Sequence, residues 1–251
     1  MYPMDFEEFL MAVGINADTM SYLRGCYDNF NEVDPVVHDR IMKAFNTYLI
    51  IGGKPEAVEA YVRTNNIQDV VRVQKDIDSN YLRHISKYNR DQSVLIQDIY
   101  QLIPSELNNQ NKRFILKELN QKARFYKYES SSTWLSNSGV GIFAYNVDEP
   151  KYPLLASKER ALFKLFPSDV GLLSCKLLNG NQIRILNGEV NLNFGSIYES
   201  VTAQELAAHG FQLFYYNSKK TGEIDFLIEH EGNVIAIEVK SGKDCKEAFR
   251  S

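Results

Sequence analysis

The sequence predicts a mixed α+β / α/β fold in three consecutive parts. Up to about residue 130, short amphipathic segments carry apolar residues at helical spacing and end at Pro or Gly, which is typical of α-helices. From Ser130 onward, alternating patterns typical of strands appear, and the C-terminal part alternates one helix with three strands. We therefore expect a helical N-terminal segment over 1–78, a helical middle domain with a two-stranded ribbon over 79–165, and a mixed sheet flanked by helices over 166–251.

Composition and length place the chain among ordinary folded proteins, with 251 residues of which 44% are hydrophobic and 24% charged. No apolar stretch approaches the roughly 20 residues of a membrane span, and the acidic start "MYPMDFEEFL" does not resemble a signal peptide. We therefore expect no membrane association and a cytoplasmic location. The three cysteines and four histidines are scattered, which argues against a disulfide framework and against a His/Cys zinc site.

The N-terminal segments carry helix start and stop signals. "PVVHDRIMKAFNTYLIIGG" predicts a helix from Pro35 to Gly52, and "KPEAVEAYVRTN" predicts one that begins at Pro55. "DIDSNYLRHISKY" has apolar residues at helical spacing. The following helix, in "DQSVLIQDIYQLIPSEL", is expected to break at Pro104.

The middle of the chain changes from helix to strand. "TWLSNSGVGIFAYNV" predicts a helix end, a turn and a strand, and "RALFKLFPSDVGLL" predicts a second strand followed by a helix with Asp169 as its N-cap. Helices followed by a two-stranded ribbon are the outline of a winged helix-turn-helix, an arrangement that binds DNA. The sequence therefore predicts a winged-helix-like middle domain.

The net charge of −4 is unevenly distributed. Residues 112–127 hold six bases and one acid, whereas residues 1–35 hold seven acids and one base. Because the distribution of charge decides where a polyanion binds, nucleic acid is expected to contact the middle of the chain through Lys122, Arg124 and Lys127. The alternative is that these bases form the solvated surface of a helix.

The C-terminal part places charged residues among apolar strands. Glu238 and Lys240 lie two apart after "NVIAI", so alternation along a strand puts them on one face. A short turn at 231–233 predicts an antiparallel hairpin that brings Asp225, on the face of Leu227, beside Glu238. Glu199 lies in the preceding helix "GSIYESVTAQELAAHG", on the side predicted to face the sheet.

These residue types suit phosphodiester chemistry. The carboxylates of Asp225 and Glu238 are hard oxygen ligands of the kind that Mg²⁺ accepts, and Glu199 would hold a further water or a second metal ion. Lys240 would orient or help deprotonate the attacking water and neutralise the transition state. A salt-bridged edge hairpin with a solvated polar face is the alternative.

Two further lysines precede the second C-terminal strand. Lys219 and Lys220, in "NSKKTGEID", would contact phosphate groups across the mouth of this site. A solvent-facing loop is the alternative.

The segment "GSIYESVTAQELAAHGFQLFYYNSKKTGEIDFLIEHEGNVIAIEVKSG" resembles the PD-(D/E)XK nuclease superfamily, particularly its Holliday-junction-resolvase-like branch. The resemblance lies in the order of a helix Glu, a strand Asp and a Glu-x-Lys pair. It implies a nuclease-like fold in which Glu199, Asp225, Glu238 and Lys240 are catalytic and the three acids bind Mg²⁺.

Upstream segments are similar to a large prokaryotic family in which an AAA-type ATPase core is followed by a C-terminal domain of unknown function. They are "YPMDFEEFL", "YLIIGGKPEAV", "QKARFYKYESSSTWLSNSGV" and "LFKLFPSDVGLL". The resemblance implies that the chain is a fragment that begins after the ATPase core with a remnant of its helical lid. No G-x-x-x-x-G-K-[ST] motif is present, so ATP is expected to bind only the full-length protein.

The function expected from these observations is that of the C-terminal part of an ATPase-linked, Mg²⁺-dependent DNA endonuclease. The alternative is a noncatalytic module that binds DNA or a protein and is regulated by the ATPase core.

Overall fold

The computed structural model describes residues 2–88, 90–109, 114, 126–187, 195–218 and 222–240, and it confirms a mixed α+β chain. The ten α-helices in these ranges are α1 (Phe6–Ala12), α2 (Ala17–Asp28), α3 (Pro35–Ile51), α4 (Pro55–Thr64), α5 (Ile67–Tyr88), α6 (Arg90–Asn108), α7 (Tyr126–Asn137), α8 (Val170–Leu178), α9 (Gln182–Leu186) and α10 (Gly195–Ala208). The five strands in the same ranges are β1 (Gly141–Val147), β2 (Lys158–Pro167), β3 (Leu213–Ser218), β4 (Gly222–His230) and β5 (Asn233–Ile237). A short 3-10 helix, Leu154–Ser157, precedes β2.

The start and stop signals of the N-terminal helices are confirmed. Pro35 and Pro55 are the first residues of α3 and α4, where a missing N–H costs nothing. Gly52 ends α3 with a φ of 75°, a conformation that glycine adopts without steric cost. Asp169 is the N-cap of α8 and accepts a hydrogen bond from the Leu172 N–H.

The predicted break at Pro104 is wrong, because α6 continues through this residue to Asn108. Proline removes one intrahelical hydrogen bond, but packing on both sides of it can hold the helix together. Ile99, Ile103 and Leu107 are all buried, so one apolar face of α6 runs past Pro104.

The strands form one mixed sheet in the order β2-β1-β3-β4-β5. The pair β1/β3 is parallel, and the other neighbouring pairs are antiparallel. The two strands of the predicted ribbon, β1 and β2, are present, but they form part of this sheet because β1 also pairs with β3. The predicted C-terminal hairpin is confirmed by the pairing of His230 with Asn233 at its turn.

Strand β5 ends at Ile237, earlier than the sequence predicts. Glu238 and Lys240 therefore follow the strand and do not lie within it. The prediction that both residues lie within the strand is wrong, whereas the predicted proximity of their side chains agrees with the ion pair described below.

Contacts between Cα atoms divide the chain into two compact units. One comprises Pro3–Asp78 and Asp169–Leu192, and the other comprises Met1–Tyr2, Ser79–Ser168 and Asn193–Ser251. All five strands of the described sheet belong to the second unit. None of the helices in the described ranges is both long and apolar enough to cross a membrane.

The first unit is organised around the buried C-terminal end of α3. Helix ends leave backbone carbonyls without intrahelical partners. The carbonyl of Leu49 accepts a hydrogen bond from Ser174 Oγ, and those of Ile50 and Ile51 accept hydrogen bonds from Gln74 Nε2. Polar side chains of α8 and α5 thus satisfy the end of α3.

Candidate functional site

Lys164, in β2, contacts carboxylates from two other elements of the second unit. Its side chain is fully buried. Its Nζ lies 3.1 Å from Oε1 of Glu223, 3.6 Å from Oε2 of Glu199 and 3.9 Å from Oδ1 of Asp225. Helix α10 and strand β4 therefore bring three carboxylates to one ammonium group.

A β-bulge in β4 accounts for the orientation of Asp225. Phe214 pairs with Leu227 and Tyr216 pairs with Ile224, so two steps along β3 correspond to three steps along β4. The strand consequently holds one extra residue in the interval that contains Asp225, and a bulge of this kind reverses the alternation of side chains. Ile224 accordingly packs against the same buried apolar cluster as Leu227.

The bulge places Asp225 on the opposite face of the sheet from Leu227. Leu227 pairs with Phe214 of β3, and Phe214 pairs with Tyr145 of β1. Tyr145 pairs in turn with Phe163 of β2, so Leu227 and Phe163 lie on the same face of the sheet. Lys164 follows Phe163 and so projects from the other face, where it meets Asp225. The predicted grouping of Asp225 with Leu227 is wrong because simple alternation takes no account of the extra residue.

The chain after β5 returns to Asp225. Phe226 pairs with Ile237, so Asp225, the residue before Phe226, comes beside Glu238, the residue that follows β5. The backbone N–H of Val239 donates a hydrogen bond of 2.8 Å to Oδ2 of Asp225. This bond holds the Glu238–Lys240 segment beside the bulge.

Glu238 and Lys240 form an ion pair at the edge of this cluster, with 3.0 Å between Oε2 and Nζ. Their side chains are 41% and 48% exposed, whereas that of Asp225 is 14% exposed. The hydrogen bond and charge of Glu238 raise the pKa of Lys240. Burial lowers this pKa by a smaller amount, and the charges of Asp225 and Glu199 make still smaller contributions that raise it. Lys240 is therefore held as an ammonium and is electrostatically linked to all three predicted acids.

Helix α10 supplies Glu199 from its buried side. Ile197, Val201 and Ala203 are buried on the same helix, and Glu199 itself is 2% exposed. The sequence prediction that Glu199 faces the sheet agrees with its approach to Lys164. A carboxylate at this depth requires a positive partner, since an isolated buried charge is strongly unfavourable.

The cluster is a candidate divalent-cation site in which the Lys164 ammonium lies among the carboxylates. Glu199, Glu223, Asp225 and Glu238 carry four formal negative charges, and Lys164 and Lys240 carry two positive charges, so these six residues sum to a net charge of −2. Oxygen ligands and negative charge are what Mg²⁺ requires. In the described ranges, however, no three His, Cys, Asp or Glu side chains are grouped closely enough to hold a metal ion.

Comparison with protein families matches the profile "Domain of unknown function (DUF8612)" to residues 42–182, which is more than half of the chain. The chain belongs to the DUF8612 family. A second profile, "Domain of unknown function (DUF4143)", matches residues 194–251 of this DUF8612 protein, and that domain is often found at the C-terminus of AAA-ATPase-like proteins. No curated protein and no solved structure gives a match.

The two matched segments of the DUF8612 protein both contribute to the charged cluster. Lys164 lies in the part that matches DUF8612, whereas Glu199, Glu223, Asp225, Glu238 and Lys240 lie in the part similar to DUF4143. The cluster therefore depends on residues from both matched regions.

Four of the residues predicted to bind nucleic acid, Lys122, Arg124, Lys219 and Lys220, lie outside the described residues. Lys127 belongs to α7, but its side chain is outside the described part. Their roles remain predictions.

Sequence reasoning missed Lys164 and Glu223. Lys164 interrupts the apolar run "ALFKLF", which is the same kind of signal that drew attention to Glu238 and Lys240. Glu223 lies two residues before Asp225, and only the bulge brings both carboxylates to Lys164. Lys164 had a sequence signal, and strand alternation places Glu223 on the same face as Asp225, but it does not indicate that this face meets Lys164.

Proposed function

We propose that this chain is the C-terminal part of an AAA-type ATPase-linked protein and that its PD-(D/E)XK-like end hydrolyses phosphodiester bonds in DNA with the help of Mg²⁺. The observation that carries the proposal is the approach of Glu199 and Asp225, from a helix and a bulged strand, to within 3.6 and 3.9 Å of the same Lys164 ammonium. Acids from separate elements that converge on one point of the structure supply the oxygen ligands from which a metal site is built.

Asp225, Glu238 and Glu199 are the residues that would hold Mg²⁺. When bound, Mg²⁺ supplies Lewis-acid polarisation of the phosphodiester. Lys164 keeps the carboxylates of Glu199 and Asp225 together and limits their mutual repulsion. It thereby positions these groups before any ion arrives.

Lys240 would neutralise negative charge that develops on the phosphate. Its raised pKa favours the protonated form, so it is better suited to stabilise charge than to accept a proton from water. Its partial exposure leaves the ammonium accessible from the solvent side.

The proposed DNA contacts are the bases predicted from the sequence. Lys219 and Lys220 would bind phosphates at the mouth of the site, and Lys122, Arg124 and Lys127 would do so from a winged-helix-like middle domain. The upstream ATPase core, which alone would bind ATP, is the proposed protein partner, and the cytoplasm is the proposed location.

A second function, noncatalytic binding of DNA or a protein under control of the ATPase core, is favoured by a specific observation. Lys164 is fully buried and permanently accompanies the carboxylates, as in a structural ion-pair network. Buried carboxylates that are ion-paired with an internal ammonium do not require a metal ion for charge compensation.

Nicking of supercoiled plasmid DNA with Mg²⁺ or Mn²⁺ separates the two functions. The variants are Asp225→Asn and Lys240→Gln, with Asp76→Asn, an exposed carboxyl on α5, as the matched control. The nuclease proposal predicts cleavage by the unmodified chain and by the control, and at least a roughly hundred-fold loss in the two site variants. If DNA migration is retarded and none of the four proteins nicks the plasmid, the noncatalytic module is supported. Equal nicking by all four proteins contradicts catalysis at this site.

A further inference from the structure

A cavity of about 460 Å³ opens on the face of the sheet opposite to Lys164. It lies within the second unit, and its walls come from α7, β1, β2 and the 3-10 helix. Tyr145 and Phe163, which pair across β1 and β2, are among its lining residues. Its other described lining residues are Ser132, Thr133, Leu155, Lys158 and Arg160.

An irregularity in β2 brings two cations to this cavity. Tyr145 pairs with Phe163, while the next residue, Asn146, pairs with Glu159. Three residues of β2, at 160–162, are therefore left over between these pairs, and Arg160 is the first of them. The excursion lets Arg160 leave the regular ladder and line the same cavity as Lys158.

Aromatic contact fixes the position of the Lys158 ammonium. Its Nζ lies 3.5 Å from the centroid of the Tyr145 ring, which is a cation–π geometry. The Tyr145 ring in turn stacks at 6.0 Å on Phe143. The ammonium is thus held at the wall of the cavity by a ring that is itself fixed by packing.

The electrostatic environment of Lys158 is unfavourable for its positive charge. Burial and, after it, the positive charge of Arg160 lower the pKa of Lys158. Two cationic groups that repel each other at the wall of one cavity would be stabilised by an anion between them.

We propose that this cavity binds a small organic phosphate, with the phosphate group between Lys158 and Arg160 and the organic part against Leu155 and the partly exposed Tyr145. The hydroxyl groups of Ser132 and Thr133 line the same cavity and can donate hydrogen bonds to phosphate oxygens. The guanidinium of Arg160 suits the geometry of a phosphate, and the Lys158 ammonium adds a point charge. This site is distinct from the carboxylate cluster and does not depend on the proposed nuclease activity.

The size and lining of the cavity favour an organic phosphate over inorganic phosphate. Cavities of roughly 300 to 1,000 Å³ bind drug-sized ligands through apolar walls and a few polar groups. Inorganic phosphate could contact the two cations but has no apolar part to cover the side chain of Leu155, which is 60% exposed. Phenyl phosphate presents both an anionic group and an apolar ring, and it is therefore the probe of choice.

Isothermal titration calorimetry at constant ionic strength tests the proposal with phenyl phosphate and inorganic phosphate as separate probes. The variants are Lys158→Gln and Arg160→Gln, and the matched control is Lys151→Gln, which removes an exposed lysine paired with Glu149. We expect phenyl phosphate to bind the unmodified chain at least about ten-fold more tightly than inorganic phosphate. Each site variant should weaken this binding by about ten-fold or more, and the control should not change it.

Two results would overturn the proposal. One is equal affinity of the unmodified chain for the two probes, since the apolar walls would then make no contribution. The other is an equal loss in Lys158→Gln, Arg160→Gln and Lys151→Gln, which would indicate a general charge effect. Because the comparison of the two probes uses the unmodified chain, it remains decisive even if a variant fails to fold.

Discussion

Lys164 shows how one buried charge can organise several elements. Its ammonium lies between 3.1 and 3.9 Å from the carboxylates of Glu223, Glu199 and Asp225. The sequence signal for it was a lone lysine within an apolar strand, and that signal indicates burial without identifying the partners. The partners depend on sheet pairing, which is a property of distant segments and cannot be read from local periodicity.

Replacement of Lys164 by Met is expected to lower the free energy of unfolding by about 3 kcal/mol, because the deeply buried Glu199 loses its positive partner. Urea denaturation followed by circular dichroism measures the change. Adding Glu199→Gln to Lys164→Met removes the negative charge of the buried Glu199 carboxylate and should recover part of the lost unfolding free energy.

The matched control is Lys151→Met, since the ion pair between Lys151 and Glu149 is exposed. Its effect should be below about 1 kcal/mol. An equal loss in the two single variants would show that burial of the Lys164 charge has no special role.

Asp169 is a second buried carboxyl with a different role. Besides capping α8, it accepts a hydrogen bond of 2.7 Å from the Gly53 N–H. The sequence predicted the cap, because Asp precedes an apolar helix, but the contact with Gly53 spans distant parts of the chain. Burial raises the pKa of Asp169, although Lys54 and the backbone N–H groups act against this increase.

The raised pKa gives a prediction for pH dependence. Because the folded chain binds the Asp169 proton more tightly than the unfolded chain does, this carboxyl favours folding at acid pH and loses that contribution as pH rises through the folded-state pKa. The unfolding free energy of the unmodified chain minus that of Asp169→Asn should therefore be more positive near pH 4 than at pH 7. Urea titrations at the two pH values measure it, and a difference that grows toward pH 7 would contradict the assignment.

Helices and strands differ in how far their sequence patterns determine them. Pro35, Pro55 and Gly52 mark helix ends through local sterics, and the structure confirms these positions. The bulge in β4 leaves no such signal, because it arises from the pairing of Phe214 and Tyr216 with a longer stretch of the neighbouring strand. The faces of β4 were consequently predicted incorrectly, although the strand itself was predicted correctly.

The packing of α8 against the end of α3 gives a prediction at one glycine. A Cβ atom built on Gly171 would lie 2.2 Å from the Ile51 carbonyl oxygen and 2.6 Å from the Gly52 nitrogen. Gly171→Ala should therefore force the two helices apart and lower the unfolding free energy by about 2 kcal/mol or more. Chemical denaturation measures this loss.

Gly25, inside α2, is the matched control, because a Cβ atom there would have no neighbour within 4 Å. Gly25→Ala should raise stability by about 0.5 to 1 kcal/mol, since alanine has the higher helix propensity. Destabilisation by both substitutions to a similar extent would contradict the close-packing explanation.

At the scale of the whole chain, the sequence predicted the mixed α+β class, with helices before the first strand and a helix before the last three strands. It did not predict that the strands of the middle and C-terminal parts join in one sheet, because the parallel pairing of β1 with β3 connects segments that are far apart in sequence. That pairing allows Lys164 of the DUF8612-matched segment to meet acids of the DUF4143-like segment. The candidate site is thus a consequence of tertiary structure that motif order alone could not specify.

Direct measurement of Mn²⁺ binding by electron paramagnetic resonance tests the central proposal, that Glu199, Asp225 and Glu238 hold a divalent cation. The account predicts saturable binding by the unmodified chain and by Asp76→Asn, and at least about ten-fold weaker binding by Asp225→Asn, because one carboxylate ligand is lost. No saturable binding by the unmodified chain, or equal binding by all three proteins, would contradict a metal site at this cluster.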